Sequence, residues 1–411
     1  MTVSSKKIKI GIVGAGTSGA ISLLSILDDL YKNKAMHAFE VHLFFDSNKP
    51  KLKVGEGLSP LTTSLLVNTL GYKYDETNLK FNETKRYGAY SHWEKATGKD
   101  FYVKYPHWAL HVDAGLFSEW VIETAKKKFN NVFIIDTEVI DMKSTFESAS
   151  IVCSDKNYTL DFVLDCRGTP TKEELNSGNY FKPEFESVNS VLIYPQFEKI
   201  DEDYTQVYVH DDGWMFGIPV AHRKAFGYLY NNKLLSKENA IKKICDIKNI
   251  TPDKIAVDIQ WNQYYRLFAM EERILYVGNK LYFFEPHNAM PLHYYHILVN
   301  TFMIILLRTQ NLNETVMYVN SVHMKFIEHI KAMIALNYVG RMDLDTEFWN
   351  VTSKNAKEYL RTNNYFINWC KTVTQNNEFS GFGFMGSDIM KQYVEGYQID
   401  LTQFVSDKPI F

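Results

Sequence analysis

The stretch that decides the fold is Lys9-Ile10-Gly11-Ile12-Val13-Gly14-Ala15-Gly16-Thr17-Ser18-Gly19-Ala20. Lys9 to Val13 is a short apolar run, Gly14 to Gly19 interrupts it, and Ala20 to Leu30 (AISLLSILDDL) carries apolar residues at helical spacing. Strand, glycine turn and helix in that order form the setting in which Gly14-x-Gly16-x-x-Gly19 works as a dinucleotide fingerprint. The glycines supply a tight turn, close backbone approach to a pyrophosphate, and close packing of helix on strand. The helix, with Thr17 inside the fingerprint, then offers free N–H groups and its positive end to phosphate oxygens. Asp46 follows the second strand, Glu40 to Phe45, and is placed to accept hydrogen bonds from a ribose. The plainer alternative is a glycine turn used only for packing, with Asp46 as a solvated strand cap.

Outward from this start, strands and helices alternate. A helix is expected over Asp113 to Lys128, then a strand at Val132 to Asp136, a hairpin around Asp155 to Asn157, and a strand at Leu160 to Asp165. From Ser187 to Tyr230 the pattern is β, Leu275 to Gly278 returns to a parallel-type strand, and helical spacing dominates after Leu292. The expected fold class is α/β: a GxGxxG nucleotide-binding fold with an inserted antiparallel sheet and a helical C-terminal third. Residues 1–300 are read as one discontinuous core with the inserted sheet at about 187–265. Residues 301–411 are read as a helical region that packs on the core and shapes a substrate pocket. No internal repeat, low-complexity tract or long linker is present.

The chain has 411 residues, enough for one large domain or two coupled ones. An apolar share of 45% with 23% charged residues excludes wholesale disorder. The net charge of −3 argues against a dedicated nucleic-acid binder. Cys153, Cys166, Cys245 and Cys370 form no CxxC pair, so they suggest neither a disulfide framework nor a zinc site and fit a reducing cytosol. The opening MTVSSKKIKIGIVGAG runs straight into a strand, leaving no room for a signal peptide, and Thr301 to Leu307 is far shorter than the roughly 20 residues a bilayer needs. A cytoplasmic protein with no membrane or nucleic-acid partner is expected. Aromatic residues make up 15% of the chain, suited either to a ring-walled pocket or to an aromatic core.

Two later segments bear on which nucleotide is bound. Leu160 to Gly168 (LDFVLDCRG) resembles the strand and turn beneath the adenine half in flavoprotein monooxygenases. Leu275 to Pro286 (LYVGNKLYFFEP) resembles their later strand, Gly-Asn turn and flavin-facing helix start. The resemblance implies FAD, with Gly278 and Pro286 beside it. No second GxGxxG follows, so a separate NAD(P)H domain is not expected and reducing equivalents must come from elsewhere.

Further segments extend the likeness. Val54 to Pro60 (VGEGLSP) is similar to a VGEATxP segment; Lys85 comes twenty-nine residues after Glu56, and Trp93 eight residues after Lys85. Leu110-His111-Val112-Asp113 resembles xxHxDA, Gly213 to Pro219 (GWMFGIP) resembles GWxWxIP, and Gly227 to Tyr230 resembles GYxY. Phe284-Glu285-Pro286 resembles the start of FxEPLESTG, and Thr346 to Trp349 resembles T-x-F-W. In this order the segments resemble the flavin-dependent halogenases of the tryptophan-halogenase-like family. The resemblance implies FADH2 delivered by a separate flavin reductase, O2, a halide ion, and hypohalous acid directed by Lys85 to a small electron-rich arene. It places Glu56 at the cofactor, Ala289 and Met290 at the halide, and Trp214, Phe216, Pro219, Phe348 and Trp349 along the substrate tunnel. It leaves homo-oligomerisation open.

This sequence departs from the family pattern in ways that bear on chemistry. Phe216 replaces the second Trp of GWxWxIP. Asn288 stands where a catalytic-site Glu is usual, and Pro291, which has no N–H, stands where a Gly would help hold halide. Asn288 is therefore a catalytic-site position without the carboxylate. Glu285 is a candidate to take the proton leaving the ring, with a structural role as the alternative. Trp93 and His111 are eighteen residues apart, without the long insertion that caps the pocket in tryptophan halogenases. An open mouth, broad arene scope and preference for bromide or iodide over the strongly hydrated chloride are expected.

Competing readings are an FAD aromatic hydroxylase and a flavin-binding protein with degenerate chemistry. Taken alone, Lys85 beside Arg86 and Glu83 reads as an exposed helix charge. His287, His293 and His296 lack the carboxylate or Cys spacing of a metal site, and no metal is expected. Tyr264, Tyr265 and Tyr338, with Phe348 and Trp349, fit either a pocket lining or core packing. No GxSxG elbow is present.

Overall fold

The computed structural model describes residues 7–49, 54–197, 202–309 and 311–405. Strand β1 (Ile8–Val13) passes through the glycine turn into helix α1 (Thr17–Lys32), and β2 (Phe39–Phe45) lies parallel to β1. The chain then leaves this layer through β3 (Gly55–Gly57), α2 (Pro60–Leu65), β4 (Thr84–His92), α3 (Glu94–Thr97) and β5 (Phe101–Asp113). It returns through α4 (Ala114–Lys128), capped by the Asp113 carboxylate, which accepts from the Leu116 N–H. Strand β6 (Val132–Asp136) extends the sheet beside β2; β7 (Val139–Ser144), β8 (Ala149–Cys153) and β9 (Asn157–Leu160) form a small antiparallel sheet. Strand β10 (Phe162–Asp165) pairs with the other side of β1. The apolar run expected at 160–165 is thus split, because Leu160 ends β9 and Asp161 makes the bend.

Helix α5 (Lys172–Leu175) and β11 (Tyr180–Phe181) lead to β12 (Ser190–Gln196) and the consecutive antiparallel strands β13 (Thr205–His210), β14 (Gly213–Val220) and β15 (Arg223–Tyr230), with β12 pairing beside β15. Helix α6 (Lys237–Lys248), then β16 (Val257–Gln260), β17 (Tyr264–Arg266), β18 (Met270–Glu271), β19 (Ile274–Tyr276) and β20 (Tyr282–Phe283) complete the β part. The nucleotide-type sheet has the order β18-β19-β10-β1-β2-β6, and the large sheet β16-β12-β15-β14-β13-β4-β5-β3. The inserted sheet therefore reaches beyond 187–265, since it takes in three strands from residues 55–113, and β4 joins β13 in parallel. Lys85 lies in β4; the exposed-helix alternative fails because this stretch is extended and Lys85 pairs with Leu110 of β5.

The large sheet curls. A Cβ on Gly55 of β3 would stand 3.0 Å from Ile218 Cγ2, and Thr84 Oγ1 donates to the Pro219 carbonyl at 3.0 Å. These contacts bring β14 over β3 and β4, so the curl encloses Thr84, Arg86 and His111 rather than leaving them in solvent.

Helices α7 (Met290–Thr309), α8 (Leu312–Leu336), α9 (Glu347–Leu360), α10 (Asn364–Asn376) and α11 (Ser387–Gly396) form the C-terminal part. The apolar stretch Thr301 to Leu307, read as too short for a bilayer, belongs to α7, whose 20 residues are long and apolar enough by length and composition to cross one. More than half of its apolar window is buried instead: α7 packs on α1 and α8. Helix α1 is buried at every position from Gly19 to Leu30, as expected for a helix covered on all sides. One continuous core runs from Ile10 through Leu24 and Leu298 to Trp349.

Candidate active site

The three fingerprint glycines do different work. Gly14 has φ +112°, and a Cβ there would lie 2.7 Å from the Cys166 carbonyl oxygen. A Cβ on Gly19 would lie 2.0 Å from the Gly14 carbonyl oxygen, so this glycine is required for helix–strand packing. Gly16 has nothing within 4 Å of its notional Cβ. It is also the N-cap of α1 and provides no side-chain cap, so first-turn N–H groups of the helix are left for another acceptor. Gly278 (φ +74°) lies against this turn, with a notional Cβ 2.7 Å from Ser18 Oγ.

Glu56 on β3 completes this end of the site. It is half-buried, yet its Oε2 is fully enclosed and has no hydrogen-bond partner. Burial raises its pKa and the Asp113 charge adds to the rise, while the Thr17 side chain beside it works the other way. An open glycine face, an uncapped helix end and an orphaned carboxyl oxygen suit a dinucleotide cofactor such as FAD. Asp46 ends β2 on the correct side, but its Oδ1 already accepts from the Asn48 backbone (2.9 Å) and side chain (3.0 Å). Arg167, absent from the predicted set, borders the glycine turn: its backbone N would be 3.3 Å from a Cβ on Gly14, and Asp165 holds its guanidinium through two 2.9 Å bonds. Its signal was its place just after a strand that ends beside the glycine turn.

Lys85 is half-buried on β4, with Nζ 4.9 Å from the centre of the Tyr74 ring, which in turn lies 6.3 Å from Trp108. Burial pushes the Tyr74 phenol up to about 12. Lys85 pairs with Leu110 and Glu56 pairs with Val112, so all four side chains project from one face of the sheet. Two strand spacings and a two-residue offset put the Lys85 and Glu56 backbones roughly 12 Å apart.

The other expected tunnel residues are not gathered at Lys85. Pro219 accepts from Thr84 on the opposite face of β4, and Trp214 lies five residues back along β14, roughly 17 Å from it. Phe216 lies between them with its ring on Gly227, whose notional Cβ would be 2.2 Å from it. Trp214 is 1% exposed; its Nε1 donates to the Tyr338 hydroxyl (2.9 Å), which donates to Glu285 Oε1 (2.9 Å). The Ser187 hydroxyl donates to the other Glu285 oxygen, and His287 stacks on Trp214 at 4.3 Å. Burial raises the Glu285 pKa, with His287 and Tyr338 opposing.

Phe348 and Trp349, expected to line a pocket, are core rings. Both are buried, 5.0 Å apart, and Trp349 also meets Trp93 at 5.8 Å and donates its Nε1 to the His210 carbonyl. Tyr264 and Tyr265 are buried too. In the turn before α7, Pro286 is exposed, Ala289 has φ +48° and the Met290 side chain is buried; the Asn288 side chain lies outside the described residues. His293 hydrogen-bonds Ser59 (2.9 Å) and His296 hydrogen-bonds Ser25 (2.8 Å), and burial lowers both to about 4. Among the described residues no three His, Cys, Asp or Glu are grouped to hold a metal.

A nucleotide-type sheet joined to a curled mixed sheet and a helical region is also the architecture of solved flavin-dependent halogenases. The tryptophan halogenase of Shewanella frigidimarina NCIMB 400 matches with TM-score 0.79 at 15% identity, over 96% of this chain and 90% of that one. BrvH, a flavin-dependent halogenase from Brevundimonas sp. BAL3, matches with TM-score 0.77 at 16% identity, over 96% and 90%. The tryptophan 6-halogenase SttH from Streptomyces toxytricini matches with TM-score 0.78 at 15% identity, again over 96% and 90%. No curated protein matches the sequence. Residues 99–380 match the family model for tryptophan halogenase. The chain belongs to the tryptophan halogenase family, a family of flavin-dependent enzymes.

Proposed function

We propose that this enzyme is an FADH2- and O2-dependent halogenase in which Lys85 directs the oxidised halogen to a small electron-rich aromatic substrate. The observation that carries this reading is the shared sheet face of Lys85 and Glu56, with Glu56 adjoining Thr17 at the open end of α1. When bound, reduced FAD with O2 and halide supplies hypohalous acid.

The protein's part is to bind, orient and exclude water. The Gly14–Gly19 backbone and the free N–H groups of α1 hold the pyrophosphate, Asp46 reaches the ribose through its second oxygen, and Gly278 and Pro286 border the ring end. The backbone at Ala289 and Met290 would hold the halide. The Lys85 ammonium donates a hydrogen bond to hypohalous acid and aims it at an arene held by Tyr74 and Trp108, whose rings keep water out. Asparagine at 288 has no proton to exchange near neutral pH. Glu285, buried and accepting from Tyr338 and Ser187, fixes Trp214 through Tyr338, the structural role rather than that of proton acceptor. Phe216 walls the path between the two ends.

In this reading residues 1–300 form the cofactor and halogenase core, and 301–411 brace it. A separate reductase supplies FADH2 in the cytoplasm, without nucleic acid or membrane as partner. Bromide and iodide are favoured over chloride, because a halide site with fewer donors compensates poorly for the desolvation of chloride. The test combines purified protein, FAD, an independent flavin reductase and NADH with chloride, bromide or iodide and a panel of phenols, anilines and indoles, read by mass spectrometry. Halogenated arenes are expected. Hydroxylated arenes, with flavin reduced by NADH in the absence of the reductase, would replace this reading with a hydroxylase.

A further inference from the structure

Independently of the halogenase reading, we propose that the interior of the curled sheet contains a small-anion site centred on Arg86, suited to a monovalent ion such as a halide. This site lies on the opposite face of β4 from Lys85, since adjacent strand residues point to opposite sides.

Arg86 is 2% exposed. Its Nε donates to Thr205 Oγ1 at 3.0 Å and its Nη1 to the Leu58 carbonyl at 2.9 Å. Among the described residues, Nη2 donates to no protein acceptor and no carboxylate forms an ion pair with this guanidinium. A Cβ on Gly57 would lie 2.7 Å from Nη1, so the glycine of β3 is what lets the guanidinium lie against that strand. The Tyr105 ring centre is 5.0 Å from Cζ, a weak and partial compensation for a buried charge.

The neighbours do not supply the missing negative charge. His111 is fully buried, with Nε2 2.9 Å from Thr205 Oγ1 and Nδ1 3.3 Å from Thr84 Oγ1. Burial, then the charges of Arg86 and Lys224, push its pKa well below the usual range, so it is neutral. Lys224 is matched by Glu202 (2.7 and 2.6 Å), and Arg223 by Asp113 (2.9 Å). Among the described residues Arg86 is a buried cation without a counter-charge, a costly arrangement that an anion relieves. Nη2 is the donor for it, since the Thr84 hydroxyl proton goes to the Pro219 carbonyl. Occupancy would stiffen β4, the strand that carries Lys85 on its other side.

Bromide is the probe. Crystals of the protein as purified, grown in sodium bromide, should give an anomalous peak within hydrogen-bond distance of Arg86 Nη2. In solution, bromide should raise Tm saturably above equal ionic strength of gluconate, and Arg86→Met should weaken that response at least tenfold. If Arg86→Met does not fold, the anomalous map of the parent protein decides alone. Bromide peaks only at the surface, or equal effects of bromide and gluconate on the parent, would overturn the site.

Discussion

Lys85 and Glu56 project from one face of the large sheet, because their partners Leu110 and Val112 are two residues apart on β5. That relationship links the glycine-turn end of the molecule to a lysine some seventy residues away from it in sequence. The linkage depends on backbone pairing, and so it tolerates changes of side chain between the two.

The fingerprint glycines should separate binding from stability. Gly16→Val places its side chain where nothing lies within 4 Å, at a residue with ordinary φ of −78°. It should abolish FAD binding, followed by fluorescence titration, while leaving thermal unfolding within about 0.5 kcal/mol of the parent. Gly19→Ala should instead destabilise the fold, since its Cβ would meet the Gly14 carbonyl oxygen. Equal loss of stability in both variants would contradict the assignment.

Tyr338 links Trp214 to Glu285 inside the core. Tyr338→Phe removes the donor to a buried carboxyl and the acceptor of a buried indole N–H. A loss of about 2–4 kcal/mol is expected in urea denaturation, because each orphaned buried group costs about 1–3 kcal/mol. A change below about 0.5 kcal/mol would show that the network carries little of the fold.

Asp29 of α1 gives the fold a pH dependence. Its Oδ1 accepts from Asn300 (2.7 Å) and its enclosed Oδ2 has no partner. Burial, then the charge of Asp28, raises its pKa from 3.8 to about 7, with Asn300 and Lys32 opposing. Between those values the folded protein keeps a proton that the unfolded chain has released. Stability is therefore full below about pH 4 as far as this group is concerned, falls as pH rises towards 7, and levels off above. The slope approaches about 1.4 kcal/mol per pH unit within the window. Asp29→Asn should flatten that decline in Tm between pH 5 and 8; an unchanged profile would refute it.

What could be read from sequence follows from how local the signal was. Strand β1, the glycine turn, α1 and the Asp113 cap carry their own pattern within a few residues. Strand β4 does not: Thr84 and Arg86 face a polar interior of the curl, and the register shifts between Arg86 and Gly88, so no apolar alternation marks it. Its partner β13 lies more than a hundred residues on, and only tertiary pairing makes the stretch a strand. Phe348 and Trp349 look alike as core or pocket, because buried rings and pocket rings share one composition. The family model begins at residue 99, beyond Lys85 and the glycine turn, so the roles given to those residues rest on their geometry and motif spacing.

The central claim is that Lys85 directs halogen to the arene, and Lys85→Ala tests it most directly. Among the described residues the Lys85 side chain makes one ring contact, at 4.9 Å, so the variant should fold and bind FAD as the parent does. With reductase, NADH, FAD and bromide, it should consume O2 at the parental rate while halogenated arene falls at least a hundredfold. Halogenation by Lys85→Ala at the parental rate would contradict the account.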